Sequence, residues 1–183
     1  MTNISGILAA VFIITSCAQQ GSTGNTEPVR PAWAASVEKE VAALGAKNWI
    51  LVTERAYPTP NDKGVRVVVV DAPLPEVLKE VMESIESEGH IWPKIYTLRE
   101  FEHVKEEFAP GVSKLRKNRL KVLASRKSQQ LTKTTLDTLL EQGMKDYRVL
   151  LVKSNSSYPY SSIFMELDSG YWNGVSEDAL RRG

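Results

Sequence analysis

Residues 65–70 read Val-Arg-Val-Val-Val-Val, and this run decides the fold class. β-Branched residues favour extended backbone. A near-continuous apolar run is typical of a strand covered on both faces, as in a parallel sheet with helices on either side. Residues 147–152, Tyr-Arg-Val-Leu-Leu-Val, have the same character. We therefore predict that both runs are central strands of one largely parallel sheet.

Amphipathic helices alternate with these strands. From Leu74 to Ser87 the apolar residues recur at helical spacing, and Pro75 fits the first turn. Another helix is predicted to begin at Ser36 and to end near Gly45. The remaining predicted helices cover 112–125, 134–144 and 176–182, and the remaining strands cover 49–52, 94–98 and 163–167. This alternation predicts an α/β fold with three layers, α/β/α.

Cys17 is the only cysteine of the chain and follows a short apolar run over 7–14. A membrane-spanning helix needs roughly 20 apolar residues, so this run has the length of a secretory signal. The stretch resembles the lipobox of bacterial lipoproteins, in which the cysteine becomes the lipidated first residue, although no Lys or Arg precedes it. A plain signal peptide with a chance cysteine is the alternative.

These observations predict three segments. They are a signal peptide over 1–16, a lipidated cysteine with a flexible tether over 17–31, and one folded domain over 32–183. The lipid would anchor the domain to a membrane of the bacterial cell envelope, on its periplasmic or extracellular face.

Composition and motifs argue against several classes of function. Charged residues make up 25% of the chain and the formal net charge is +1, so nothing indicates a nucleic-acid partner. The sequence has no glycine-rich phosphate loop and no G-x-S-x-G, H-E-x-x-H or C-x-x-C motif. Its two histidines, His90 and His103, are predicted to lie on the surface. We predict neither a metal site nor a cofactor.

Two polar loops follow predicted strands, at the edge of an open α/β sheet where ligands gather. Glu54 stands in the first loop. The second loop, 153–162, is rich in hydroxyl and amide groups and carries two tyrosines. This mixture suits a sugar, whose ring packs on aromatic side chains and whose hydroxyls form hydrogen bonds. A salt bridge at Glu54 and a simple polar turn over 153–162 are the alternatives.

Three segments together resemble the ribose pyranase/fucose mutarotase (RbsD/FucU) family. They are Leu44-Gly45-Ala46, residues 54–60 (Glu-Arg-Ala-Tyr-Pro-Thr-Pro) and residues 158–162 (Tyr-Pro-Tyr-Ser-Ser). The family shows Leu-Gly-His, then Asp-Ala-x-x-Pro eight residues after the histidine, and a late Pro-Tyr-x-Asn. The resemblance implies an RbsD-like α/β/α fold, ring-shaped homo-oligomers with sites near subunit contacts, and metal-free interconversion of monosaccharide ring forms.

The resemblance also implies roles for individual residues. The family's catalytic histidine falls on Ala46, which cannot transfer a proton, and its sugar-binding aspartate falls on Glu54. Its tyrosine is retained as Tyr160, and its asparagine falls on Ser162. A second family histidine has no clear counterpart, and Lys133 is the nearest polar residue.

We therefore predict that Glu54 and Tyr160 would carry the proton transfers of such a reaction. Ser162, Asn155 and Lys153 are the predicted contacts of a monosaccharide. Two functions stay open. One is an envelope-anchored sugar-binding domain with weak mutarotase or pyranase activity. The other is a non-catalytic module for self-assembly or partner binding that has lost the family's chemistry.

Two further charge patterns stand outside this site. A basic run without an acidic residue lies between Glu107 and Asp137, and it is compatible with a solvated helix face, an anionic lipid surface or an acidic helix of another subunit. Glu166 and Asp168 would share one strand face. Such a pair can hydrolyse glycosides, but an exposed edge strand is the favoured interpretation.

Overall fold

The computed structural model describes residues 30–124 and 126–183, so Cys17 and the predicted signal peptide lie outside the described residues. The helices are α1 (Ala32–Ala42), α2 (Leu74–Glu88), α3 (Val112–Leu123), α4 (Lys133–Asp146) and α5 (Gly174–Arg182), and a 3₁₀ helix covers Arg99–His103. The strands are β1 (Trp49–Thr53), β2 (Val65–Val69), β3 (Ile91–Leu98), β4 (Ser128–Leu131), β5 (Val149–Lys153) and β6 (Ile163–Ser169).

The six strands form one sheet in the order β2-β5-β1-β6-β3-β4. The pairs β1–β5, β2–β5 and β3–β4 are parallel, and β6 runs antiparallel between β1 and β3. α1, α2 and α3 pack on one face of the sheet and α4 packs on the other. The predicted α/β fold with helices on both faces of a largely parallel sheet is confirmed.

Burial on both faces explains the apolar runs of β1 and β5. Along β1, Ile50 and Val52 pack toward α1 and α2, whereas Trp49 and Leu51 pack toward α4. Because successive side chains of a strand point to opposite faces, a strand with a hydrophobic core on each side needs apolar residues throughout. The predicted central strand over 147–152 is confirmed as β5, between β2 and β1.

The predicted central position of the 65–70 strand is wrong. Among the described strands, β2 lies at the edge of the sheet and pairs only with β5. Val69 is 59% exposed, and Arg66 pairs with Glu40 through an Nε–Oε1 distance of 3.0 Å. The reason is that β-branching favours extended backbone without deciding how many strands flank it.

The start of α1 and the presence of β4 also differ from the prediction. α1 begins at Ala32 and not at Ser36, because Pro31 supplies extended backbone before the helix and its carbonyl accepts from the Ala34 amide at 2.9 Å. β4 (Ser-Gln-Gln-Leu) was not predicted, because its largely exposed polar residues lack strand periodicity, and pairing with β3 forms it.

No helix among the described residues is long and apolar enough to cross a membrane.

The basic run does not form one solvated face. Arg119 points inward from α3 and is only 2% exposed. Its guanidinium lies 4.1 Å from the centroid of the Phe101 ring and 3.1 Å from Glu102 Oε1. Burial, opposed by the Glu102 charge, lowers the pKa of Arg119 to about 10. A buried arginine therefore ties α3 to the 3₁₀ helix.

Candidate functional site

One edge of the sheet collects the polar residues predicted for the site. The parallel strands β1, β5 and β4 end at this edge, and antiparallel β6 begins there. Ligands in open α/β folds bind beyond the carboxyl ends of the parallel strands. Residues 54, 153–155 and 160–162 are therefore all brought to this edge.

Glu54 and Ser162 form the best-defined contact of the site. Ser162 is 1% exposed, and its hydroxyl donates to Oε2 of the half-buried Glu54. The register of β1 and β6 ends at the pair Val52 and Ile163, which places the next residues, Thr53 and Ser162, side by side. Strand pairing in the centre of the sheet therefore fixes the carboxylate.

Thr53 adds a free hydroxyl beside this pair. The residue is fully buried at the end of β1, and its Oγ1 has no hydrogen-bond partner among the described residues. Buried hydroxyl groups in proteins are nearly always satisfied, so this hydroxyl is an exception among the polar groups of the site. Sequence reasoning missed Thr53, because a threonine within an apolar strand carries no distinctive signal.

Tyr160 has a backbone conformation that tyrosine rarely adopts. Its φ is 59°, in the left-handed region, and its side chain is 40% exposed. Such a conformation costs about 1–3 kcal/mol and is found preferentially at functional sites. Only one residue separates Tyr160 from Ser162, so the two Cα atoms lie within about 7 Å of each other. The phenol is thus carried on the segment that holds the Glu54 carboxylate.

Tyr57 and the start of α4 complete the group. Tyr57 packs against Phe164 with 5.9 Å between ring centroids, and burial, followed by the charges of Asp137 and Glu54, raises the pKa of its phenol to about 12. The hydrogen bond with Asp137, at 2.5 Å, is the main cause that raises the pKa of Lys133, and the field of Tyr160 contributes. The start of α4, which follows β4, and the 54–60 loop, which follows β1, therefore lie at the same edge.

Tyr57 and Asp137 were not predicted as site residues. Tyr57 stands in the 54–60 segment that matched the family pattern, so the signal was present. Asp137 lies on α4, and only the packing of α4 against this face of the sheet brings its charge near Tyr57. Periodicity places residues on a helix face, but it does not specify which strand ends that face covers.

Lys153 and Asn155 lie at the same edge but have other partners. The Lys153 ammonium donates to the Tyr57 carbonyl at 2.6 Å and contacts Thr59 Oγ1 at 3.3 Å, so it holds the 54–60 loop. Asn155 donates from Nδ2 to Asp71 Oδ1 at 3.1 Å, which turns it toward the end of β2. Sugar contact by either residue stays a prediction.

Ala46 lies at the opposite edge of the sheet. It precedes β1, whereas Glu54 follows it. Between the two positions lies β1, five residues of extended chain that by themselves span roughly 13 Å. A proton-transferring side chain at position 46 therefore cannot reach Glu54 within one subunit.

The other carboxylate pair is engaged in structural contacts. Glu166 accepts from the Tyr96 hydroxyl at 3.1 Å, and Asp168 pairs with Lys94 at 2.8 Å. The hydrogen bond from Lys94 is the main cause that lowers the pKa of Asp168. Cross-strand partners on β3 thus hold both groups. The predicted edge strand is wrong, because β6 lies inside the sheet between β1 and β3. Within the described part of the chain, no cluster of three or more His, Cys, Asp or Glu residues could hold a metal ion.

Comparison with known proteins supports the fold. No protein-family model matches the chain, and no curated protein matches its sequence. RbsD of Bacillus subtilis, solved in complex with D-ribose, matches with a TM-score of 0.50 and 14% identity over 73% of this chain and 92% of that chain. The fucose mutarotase of Streptococcus pneumoniae, in complex with L-fucose, matches with a TM-score of 0.46 and 14% identity over 71% and 89%. At this identity, the similarity to RbsD shows a shared fold.

Proposed function

We propose that the chain binds a monosaccharide at the edge formed by Glu54, Ser162 and Tyr160, and that it slowly interconverts the ring forms of that sugar. The observation that carries the proposal is the hydrogen bond from Ser162 to Glu54 beside the unpartnered hydroxyl of Thr53. Carboxylate and hydroxyl oxygens accept and donate the hydrogen bonds that a polyol offers. The structural neighbours were solved with ribose and fucose bound, which supports the same substrate class.

The proposed reaction needs one proton acceptor and one proton donor. The Glu54 carboxylate takes the proton of the anomeric hydroxyl while the bond between the anomeric carbon and the ring oxygen breaks. A tyrosine phenol gives its proton to that ring oxygen, and an open-chain aldehyde results. Reversal of these steps closes the ring in another form. Tyr160 is the predicted donor, and Tyr57, in the same loop as Glu54, is a second.

Exchange NMR tests this proposal. Magnetisation transfer between the anomeric signals of ribose, fucose and galactose would be measured with and without protein. We expect a rate above that of buffer for at least one sugar, and Glu54→Gln should remove most of it. The Glu166→Gln variant is the matched control, because it neutralises a carboxylate outside the site. The absence of binding and of rate enhancement for all three sugars would contradict the proposal.

The second candidate function is a non-catalytic module for self-assembly or partner binding, and Ala46 favours it. The family resemblance implies a catalytic histidine at position 46, and the alanine found there cannot transfer a proton. Ala46→His separates the two functions. Faster exchange that disappears on dilution would favour a sugar site assembled between subunits of a homo-oligomer. A variant that shows no rate above that of buffer at any protein concentration would favour the non-catalytic module.

We also propose that the chain is held at the bacterial cell envelope by a lipid on Cys17. The short apolar run and the small residues before Cys17 support this location. Mass spectrometry of the mature N-terminus tests it. We expect an N-terminal peptide that begins at Cys17 and carries the mass of acyl chains. An unmodified cysteine or an uncleaved signal would contradict it.

A further inference from the structure

The outer side of α3 carries a stripe of lysines. Lys114, Lys117 and Lys121 follow one another at spacings of three and four residues, which puts their ammonium groups on one side of the helix. The opposite side packs into the core through Val112, Leu115, Arg119 and Leu123. The stripe therefore faces away from the domain.

The charge of this stripe is not balanced by its neighbours. Among the described residues, none of the three lysines forms an ion pair, whereas most nearby carboxylates are paired. Glu83 pairs with Lys79, Glu86 with Arg126, Glu102 with Arg116 and Arg119, and Glu107 with Lys105. Glu106 caps the start of α3. Among the described residues, Glu76 is the one carboxylate that lines the groove between α2 and α3, and the paired Glu83 and Glu86 line a second depression beside Lys121. Three unpaired lysines against one unpaired carboxylate leave this surface positive.

Apolar groups accompany the lysines. Leu120 is 59% exposed on α3, where it lines a shallow depression together with Lys117 and Lys121. Phe108, in the turn before α3, is 80% exposed. Next to the stripe, a groove of about 530 Å³ lies between α2 and α3, with Leu115 and Lys121 among its lining residues. Basic residues interleaved with exposed apolar groups are typical of surfaces that bind anionic membranes.

We propose that this face of α3 docks on the anionic phospholipid surface of the envelope membrane. The lysines neutralise headgroup phosphates, and Leu120 and Phe108 enter the interfacial region. The proposal rests on the envelope location given above and is independent of sugar binding. Its occupant is the lipid surface itself, because the uncompensated positive charge of the stripe complements anionic headgroups.

The position of the N-terminus agrees with this orientation. Arg30, the first described residue, contacts Glu38 of α1 at 2.6 Å and also Glu80 of α2, in the same helical layer as α3. Thirteen residue steps separate it from Cys17, a contour length of at most about 45 Å. An anchor at Cys17 can therefore reach a membrane that lies against this layer.

Vesicle sedimentation of the mature chain, residues 17–183, tests the proposal. The Cys17→Ser substitution removes the lipid, and every variant compared has the same N-terminus without the apolar signal segment. We expect binding to phosphatidylcholine vesicles that contain phosphatidylglycerol, and much weaker binding to phosphatidylcholine alone. Lys114→Glu, Lys117→Glu and Lys121→Glu together should lower the affinity by at least roughly 100-fold, since each basic residue near an anionic surface contributes about fivefold. Added salt should weaken binding by screening.

The matched control reverses three positive charges outside this layer, by Lys63→Glu, Lys145→Glu and Arg148→Glu. It changes the net charge by the same amount as the α3 variant. It should retain affinity within about threefold. Circular dichroism verifies that both variants fold. Equal loss in the control, or equal binding to neutral vesicles, would overturn the proposal. It would also be overturned if the α3 variant altered self-association in sedimentation velocity and left vesicle binding unchanged, because a second copy would then cover this face.

Discussion

Ser162 donates a hydrogen bond to the Glu54 carboxylate, although 108 positions separate the two residues in the sequence. The contact forms because β1 ends just before Glu54 and β6 begins just after Ser162, and these strands pair in the centre of the sheet. A carboxylate held in this way is oriented before a ligand arrives. Rigid placement of this kind suits a binding site.

Ser162→Ala should therefore weaken both stability and sugar binding. The substitution leaves a half-buried carboxylate without its donor, and we expect the free energy of unfolding to fall by about 1–2 kcal/mol. Affinity for the sugar should fall by about tenfold, because Glu54 is no longer held in position. Urea unfolding and NMR titration measure the two effects.

Ser113→Ala is the matched control for this prediction. Ser113 also donates to a glutamate, Glu106 Oε2 at 2.7 Å, but at the start of α3. Its loss should leave sugar affinity unchanged. If the two variants changed sugar affinity equally, Glu54 would have no special part in binding.

Substitutions of Tyr160 should separate stability from function. Tyr160→Gly removes the strain of a side chain on left-handed backbone, which costs roughly 1–2 kcal/mol. We therefore expect the free energy of unfolding to stay level or rise. Tyr160→Phe keeps the backbone and removes only the hydroxyl. Both variants should lose most of the ring-form exchange. Wild-type exchange in Tyr160→Phe would show that this phenol does not take part.

The sequence allowed the strand ends to be predicted better than the contacts between them. Glu54 and Ser162 were both assigned to one sheet edge, because residues that follow buried parallel strands meet there. The Tyr57 phenol and Asp137 were not assigned to it, since a folded-back loop and the packing of α4 bring them in. Local patterns predict elements, whereas contacts between distant elements depend on packing.

Gly143→Ala should destabilise the domain although it raises helix propensity. A methyl group at this position of α4 would collide with the Trp49 indole, which stacks on Tyr96 at 5.8 Å and has little room to move. The gain in propensity is about 1 kcal/mol, and overpacking costs about 1–3 kcal/mol. We expect a net loss of up to about 2 kcal/mol by urea unfolding.

Gly45→Ala provides the comparison for this overpacking argument. Within the part of the chain that the structure describes, no atom other than those of Gly45 and its two chain neighbours lies within 4 Å of a methyl group placed at position 45. The free energy of unfolding of the Gly45→Ala variant should stay within about 0.5 kcal/mol of wild type, the usual range for unstrained surface substitutions. A Gly143→Ala protein as stable as Gly45→Ala would mean that the indole moves freely.

His90 should make stability depend on pH near neutrality. Its imidazole contacts the Leu44 carbonyl through Nε2 at 2.9 Å and the Glu88 carbonyl through Nδ1 at 3.2 Å. These contacts, the one with Leu44 first, raise the pKa of His90. The stabilising contribution is therefore complete below the unfolded pKa of about 6.5. It disappears as the pH rises through the folded pKa.

Comparison of wild type with His90→Gln tests this sign. Unfolding by urea at about pH 5.5 and about pH 8.5 gives the difference in stability at each pH. Wild type should be the more stable protein at the lower pH, and its advantage should shrink at the higher pH. An advantage that grows with pH would show that the neutral imidazole makes the stronger contacts.

Buried charge and strand position were the features least accessible to sequence reasoning. Lys114 and Arg119 belong to the same basic run, yet one is exposed and the other buried against Phe101. Similarly, the valines of 65–70 indicate a strand but do not reveal that it lies at the sheet edge. In both cases the deciding factor is the neighbour supplied by another part of the chain.

The most direct test of the sugar site is a crystal structure of the protein soaked separately with ribose, fucose and galactose. We expect one sugar ring whose hydroxyls lie within hydrogen-bond distance of both the Glu54 carboxylate and the Tyr160 phenol, in one subunit or across two. A sugar bound elsewhere, or side chains at 54 and 160 too far apart to touch one ring in any assembly, would contradict it.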